Sequence, residues 1–228
     1  MSIAFRNCRT EVPAEGSIDY NHPLGAHLTS LWLPGHIRLL TGQAVTYAGT
    51  LHQVSSGPYG RAALVTGNTK ATWPDPFPSG TVQRGSFAVI CRVIGTPATE
   101  GFAVGAGTNT NDRWGVNLPY GDGTLYFDIG AASAVSVGAL SYGGWDVWVF
   151  TNGPVNGAEV WRNGLSVASA AESSNTRAVA GSFGIGQNGS ENTTNDALVS
   201  LVATWGRELT VSEIASLVDE PFAMLKPY

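Results

Sequence analysis

Short runs of β-forming residues, each parted from the next by Gly, Pro, Asn or Ser, recur along this chain and point to an all-β fold. The clearest span 86–94, 101–105, 113–118, 124–129, 145–151, 158–162, 182–186 and 197–205. Two of them are apolar on both faces. In 86–94 (SFAVICRVI), Phe87, Val89, Cys91 and Val93 share one side, while Ala88, Ile90 and Ile94 share the other. In 145–151, Trp145, Val147 and Val149 alternate with Asp146, Trp148 and Phe150. Strands of this kind belong near the centre of a sheet that is covered on both sides. The dipeptide Asn163-Gly164, set between EVWR and LSV, predicts a two-residue hairpin, because both residues tolerate the positive φ of a type I′ turn.

One helix is expected, over 210–219. Thr210 and Glu213 form a capping box, Ile214, Leu217 and Val218 give an apolar stripe, and Pro221 ends it. Residues 1–80 read as irregular with short strands, punctuated by Pro23, Pro34, Pro58, Pro74, Pro76 and Pro78. No break in composition and no internal repeat divides the 228 residues. We therefore expect a single domain with its main sandwich at 81–206 and a tail at 220–228.

Charge excludes several partners. There are 12 basic residues against 17 acidic ones, and the only lysines are Lys70 and Lys226. That balance offers no electrostatic footprint for nucleic acid and no polybasic patch for a membrane surface. No apolar run approaches the 18 residues of a membrane span. The first residues lack the apolar core of a signal peptide, so Cys8 and Cys91 are expected to be reduced thiols, Cys91 inside the core.

Three segments resemble the concanavalin A-like, laminin-G-like jelly-roll family, the lectin/glucanase superfamily. They are SFAVICRV (86–93), the pair WDVWVF (145–150) and AEVWRNG (158–164), and VSLVATWGRELTVSEIASL (199–217). The opening IDYNHPL (18–24) and LWLPG (31–35), the step SGPYGRAAL (56–64) and the ending EPFAMLKP (220–227) are similar to a phage-encoded subset of virion proteins. The resemblance implies a two-sheet antiparallel β-sandwich, a jelly roll with one short C-terminal helix. It does not fix the activity, since one fold serves many functions.

The chemistry-bearing residues favour binding or assembly over catalysis. Glycanases on this sandwich set several carboxylates on one strand, where the two-residue period aims them at one face. Here Asp122 with Asp128, or Glu191 with Asp196, come nearest to a pair, and neither has that spacing. His22, His27, His36 and His52 fall in the first quarter with no nucleophile elbow. No cofactor is expected; calcium would have only the oxygens of 108–112 and 191–196. Sugar recognition pairs a flat ring with amide and carboxylate groups. The loops carrying Asn109, Asn111, Asp112, Arg113 and Trp114, and Trp73 with Asp75, have that chemistry.

The main expectation is a non-catalytic virion structural protein, a capsid decoration, cement or fibre subunit of a bacteriophage. It would be homo-oligomeric and packed against other capsid or tail proteins. The alternative is a glycan-binding module recognising host-surface polysaccharide; a glycoside hydrolase ranks third.

Overall fold

The computed structural model of the chain describes residues 16–34, 41–55, 58–67, 69–77, 79–95, 101–107, 112–138, 140–178, 181–188, 191–192 and 196–227. The first part supplies β1 (Gly16–Ile18), β2 (Leu28–Trp32), β3 (Thr46–Ala48), β4 (His52–Ser55), β5 (Arg61–Val65) and β6 (Lys70–Pro74). Next come β7 (Gly85–Ile94), β8 (Phe102–Gly107), β9 (Arg113–Leu118), β10 (Leu125–Gly130), β11 (Ala132–Val137) and β12 (Asp146–Gly153). The rest is β13 (Gly157–Arg162), β14 (Leu165–Ala170), β15 (Ser182–Ile185), β16 (Gln187–Asn188), β17 (Glu191–Asn192), β18 (Asp196–Trp205), α1 (Val211–Asp219) and β19 (Leu225–Pro227). Among the described residues no helix is long and apolar enough to cross a membrane.

The strands form a two-sheet antiparallel sandwich of jelly-roll type with one short helix. One sheet runs β11-β10-β9-β8-β15-β6-β3; the other runs β14-β13-β12-β7-β18-β5-β4, with β2 also paired to β18. Between them lies a core of Phe87, Val89, Cys91, Trp114, Phe127, Trp148, Phe150 and Phe183, among others. Phe87 stacks on Phe150 at 4.7 Å and meets Phe127 edge-on at 5.9 Å. Aromatic pairs of this geometry contribute about 0.5–1.5 kcal/mol each beyond the area they bury.

A second core covers the outer face of the β7-containing sheet. Ala88 and Ile90 of β7, Val147 and Val149 of β12, and Leu201, Ala203 and Trp205 of β18 meet Leu24, Leu31, Leu33, Ile214, Leu217, Phe222 and Met224. The two-faced strands of the sequence are thus the middle of a doubly covered sheet. The cover is incomplete at the end of β7, where Arg92 and Ile94 are exposed. In β18 the register shifts between Val199 and Leu201, so Ser200 is absorbed as a bulge. The bulge lets Val199 and Val202 both face the inner core.

Local signals hold in detail. Asn163 (φ 51) and Gly164 (φ 80) make the expected turn between β13 and β14. The Asn163 side chain also accepts the Val147 N–H at 2.8 Å and donates to Asp146 at 2.8 Å. Thr210 caps α1 through a complete capping box with Glu213. Arg207 adds a contact absent from the sequence reading: its guanidinium grips both Glu213 oxygens, at 2.8 and 2.6 Å, and reaches the Pro23 carbonyl at 3.0 Å. It thereby ties helix, closing strand and N-terminal segment together.

Burial alone would raise the Glu213 carboxyl, but Arg207 and the Thr210 contacts outweigh it and hold the group below its ordinary 4.5. A carboxyl held low in the folded state contributes stability above its unfolded value and loses it as pH falls through the folded one. We therefore expect the amide protection factors of α1, corrected for the intrinsic exchange rate, to fall as the solution is acidified below the ordinary carboxyl value of 4.5. Glu213→Gln should remove part of that acid step.

Candidate functional site

The two-residue period sorts β9 and β10 into an inward and an outward set. Trp114, Val116 and Leu118, with Leu125, Phe127 and Ile129, belong to the core between the sheets. That leaves Arg113, Gly115 and Asn117 of β9, and Tyr126 and Asp128 of β10, on the opposite face. Register then assembles them: Tyr126 lies opposite Asn117, and Asp128 lies opposite Gly115 on β9 and Ser133 on β11. The Asp128 row continues through Gly115 to Gly105 and Gly184, three successive positions without a side chain. Polar groups therefore rise at one end of the row. There they line a hollow of about 230 Å³ made by Arg113, Asn117, Tyr120, Asp122, Tyr126, Asp128 and Ser133.

A tight turn sets the rim. The Tyr120 N–H donates to the Thr124 carbonyl at 2.7 Å, and Gly123 takes the positive φ (81) that the turn requires. Asp122 accepts the Thr124 N–H at 2.8 Å through one oxygen and the Tyr126 hydroxyl at 2.6 Å through the other. The Tyr126 hydroxyl, then the Thr124 N–H, hold the exposed Asp122 carboxyl below the usual carboxylate range. The same bond pushes the Tyr126 phenol up. The Tyr120 and Tyr126 rings meet edge to face, centroids 5.7 Å apart at 86°.

The floor is a buried ion pair. Asp128 is 2% exposed; it accepts from Ser133 at 2.6 Å and pairs with Arg113 at 3.0 Å. A buried carboxylate needs such partners, because an unpaired one would cost several kcal/mol. The hollow therefore joins two half-buried phenol rings to carboxylate, amide, guanidinium and hydroxyl groups. That mixture suits a ligand rich in hydroxyls with an apolar flank. No cluster of three His, Cys, Asp or Glu able to hold a metal ion occurs among the described residues.

Of the described residues that the sequence nominated for sugar contact, only Arg113 lines this hollow. Asn109 and Asn111 lie outside the described residues, as do most of the oxygens considered for calcium. Asp112 is buried. Trp114 and Trp73 are corrected outright: both point inward with their strands, at 0% and 2% exposure, and have no ring face to offer a sugar. Trp114 packs on Phe77 and Phe127, at 4.9 and 5.4 Å. Trp73 lies against Phe183 and donates its indole N–H to Ser30. Asp75 is consumed by a buried pair with Arg177 at 2.6 Å, the two being 1% and 0% exposed. Arg177 also donates to Gln83 and to the Phe77 carbonyl.

Sequence spacing alone did not bring the Tyr126 side of the site forward. The signal lay in 124–129, where Tyr126 and Asp128 alternate with Leu125, Phe127 and Ile129. Asp122 and Asp128, one of the two nearest approaches to a carboxylate pair in the sequence, do share the hollow. A second depression of about 570 Å³, at Val155, Val211 and Ala215, has no titratable group to orient a ligand.

No protein-family model and no curated protein sequence matches this chain. Solved structures do share its fold. It is similar to domain 4 of AbnA, a GH43 extracellular arabinanase from Geobacillus stearothermophilus, in complex with arabinotriose. That likeness has a TM-score of 0.64 and 18% identity over 84% of this chain and 98% of the domain. The sialidase of Trypanosoma rangeli in complex with sialic acid gives 0.64 and 16% over 87% of the chain. The binding domain of botulinum neurotoxin DC in complex with SialylT gives 0.63 and 11% over 85%. This chain spans only 34% of the sialidase and 51% of the toxin domain. These likenesses show a shared β-sandwich fold.

Burial predicts how the nominated residues respond to substitution. Trp114→Ala should cost about 3–5 kcal/mol of unfolding free energy, because it empties the middle of the core. Arg177→Met should cost about 3–5 kcal/mol by leaving Asp75 buried and unpaired. Urea denaturation measures both.

Proposed function

We propose that this chain is a non-catalytic carbohydrate-binding module whose site is the hollow between Tyr126 and Asp128. The observation that carries the proposal is the placement of the Tyr120–Tyr126 pair beside the Asp122 and Asp128 carboxylates on one strand-built surface. Phenol rings cover the C–H face of a sugar, while carboxylate and amide oxygens take its hydroxyl protons. Strand β10 fixes Tyr126 and Asp128 more firmly than a loop would, and the 120–124 turn carries Tyr120 and Asp122 beside them. The fold likeness to the arabinanase domain supports the reading, since that domain, matched over 98% of its length, is in complex with arabinotriose.

Hydrolysis fits the same groups poorly. A glycosidase keeps one carboxyl protonated near neutral pH, which burial in an apolar site achieves by raising its pKa. Asp122 is exposed and held low, and Asp128 is committed to Arg113. We assign them to hydrogen bonding.

The phage virion role is a second reading, favoured by the opening NHPL and closing EPFAMLKP motifs. It is compatible with the first, because a decoration or fibre subunit can carry a sugar site. Antibody labelling of purified particles tests it: regular label on heads or fibres is expected, and unlabelled particles would remove it.

The binding reading has a direct check. Asp122→Ala and Tyr126→Ala should each weaken glycan retention on affinity electrophoresis by about tenfold or more. The exposed Asp122 change should shift unfolding free energy by only about 0.5 kcal/mol. Loss of retention only in step with unfolding would count against the site.

A further inference from the structure

We infer that the hollow takes a single uncharged sugar residue and turns away acidic sugars; this rests on the carbohydrate-binding reading above. The lining holds two carboxylates, Asp122 and Asp128, against one guanidinium, Arg113. That guanidinium is already spent, lying 3.0 Å from Asp128 at the floor. Recognition of a carboxylate or sulfate on a sugar uses an Arg fork or Lys ammonium facing the ligand. Among the described residues the lining contains no second cation, and the whole chain carries two lysines and a formal charge of −5. An acidic sugar would therefore bring a third negative charge to a site with one paired positive charge. A neutral ring meets the opposite situation. Its hydroxyls are donors, and the Asp122 carboxylate at the rim is an acceptor-only group facing solvent.

Size narrows the ligand further. A hollow of about 230 Å³ is smaller than the roughly 300–1,000 Å³ of ordinary small-molecule sites. It accommodates one ring at the end of a chain and leaves the remaining units outside.

The test is a glycan array carrying neutral arabino-, galacto- and gluco-oligosaccharides beside sialylated and uronic-acid-bearing ones. The wild-type chain is compared with Asp122→Asn. The expected result is retention of a neutral set with acidic counterparts weaker by about tenfold or more at low salt. Asp122→Asn, which removes a charge and keeps the shape, should narrow that ratio. Near-UV circular dichroism confirms that the variant is folded. Wild-type preference for acidic sugars, or a ratio unmoved by Asp122→Asn, would overturn the neutral-sugar inference while leaving the binding reading in place. Retention of no glycan at all would overturn both.

Discussion

The β7-containing sheet is apolar on both faces, and that single requirement shapes the rest of the chain. One face finds its cover in the other sheet, through Phe87, Val89, Trp148 and Phe150. The other is covered by a lid built from α1, the β1–β19 ribbon and the segments beside them, with Ile18, Leu24, Leu31, Ile214, Leu217, Phe222, Met224 and Leu225. Trp205 shows how closely the lid is fitted: its indole N–H donates to the Leu24 carbonyl at 2.7 Å inside the outer core. A buried indole needs such a partner. The Arg207 contacts with Glu213 and the Pro23 carbonyl then close the lid at its polar margin. A sheet so covered has little surface left for ligand chemistry.

Chemistry falls instead to the other sheet, whose outer face carries polar groups. On β9 and β10 every second residue points away from the inner core; Arg113 and Tyr126 are partly exposed there, while Asn117 and Asp128 are buried polar groups. Their spacing comes from strand register, so the Asp128 carboxylate is fixed as firmly as the ladder that carries it. The glycines at 115, 105 and 184 on the same row make the hollow an edge feature of the sheet. A fold shared with solved structures at 11–18% identity supplies the scaffold. The particular groups on it belong to this chain.

Much of the fold was readable from the sequence because its signals are local. The Asn163-Gly164 turn, the Thr210–Glu213 box and the two-faced strand at 86–94 each depend on residues within a few positions of one another. The candidate site was not readable in that way. Its groups come from β9, the 120–124 turn, β10 and β11, and they meet through pairings that include a register shift between Phe127 and Asp128. Trp114 was drawn toward the surface by its Asn- and Asp-rich neighbours, although its alternation with Val116 and Leu118 already placed it inside. Asp75 looked like a loop acid because its partner, Arg177, lies far along the chain. Long-range pairs of this kind leave no mark in either local sequence.

The β1–β19 ribbon has a mechanical meaning. Gly16 pairs with Pro227 and Ile18 with Leu225, so the outer ends of both strands leave the ribbon at the same point. Tension applied through those ends loads the backbone bonds one after another, as a zipper does, rather than all together in shear. The ribbon is three residues long, and its Ile18 and Leu225 side chains are seated in the outer core. Pulling would peel this clasp first and reach the rest of the lid over the two-faced sheet next. The sandwich bearing the hollow sits behind both, shielded from the load.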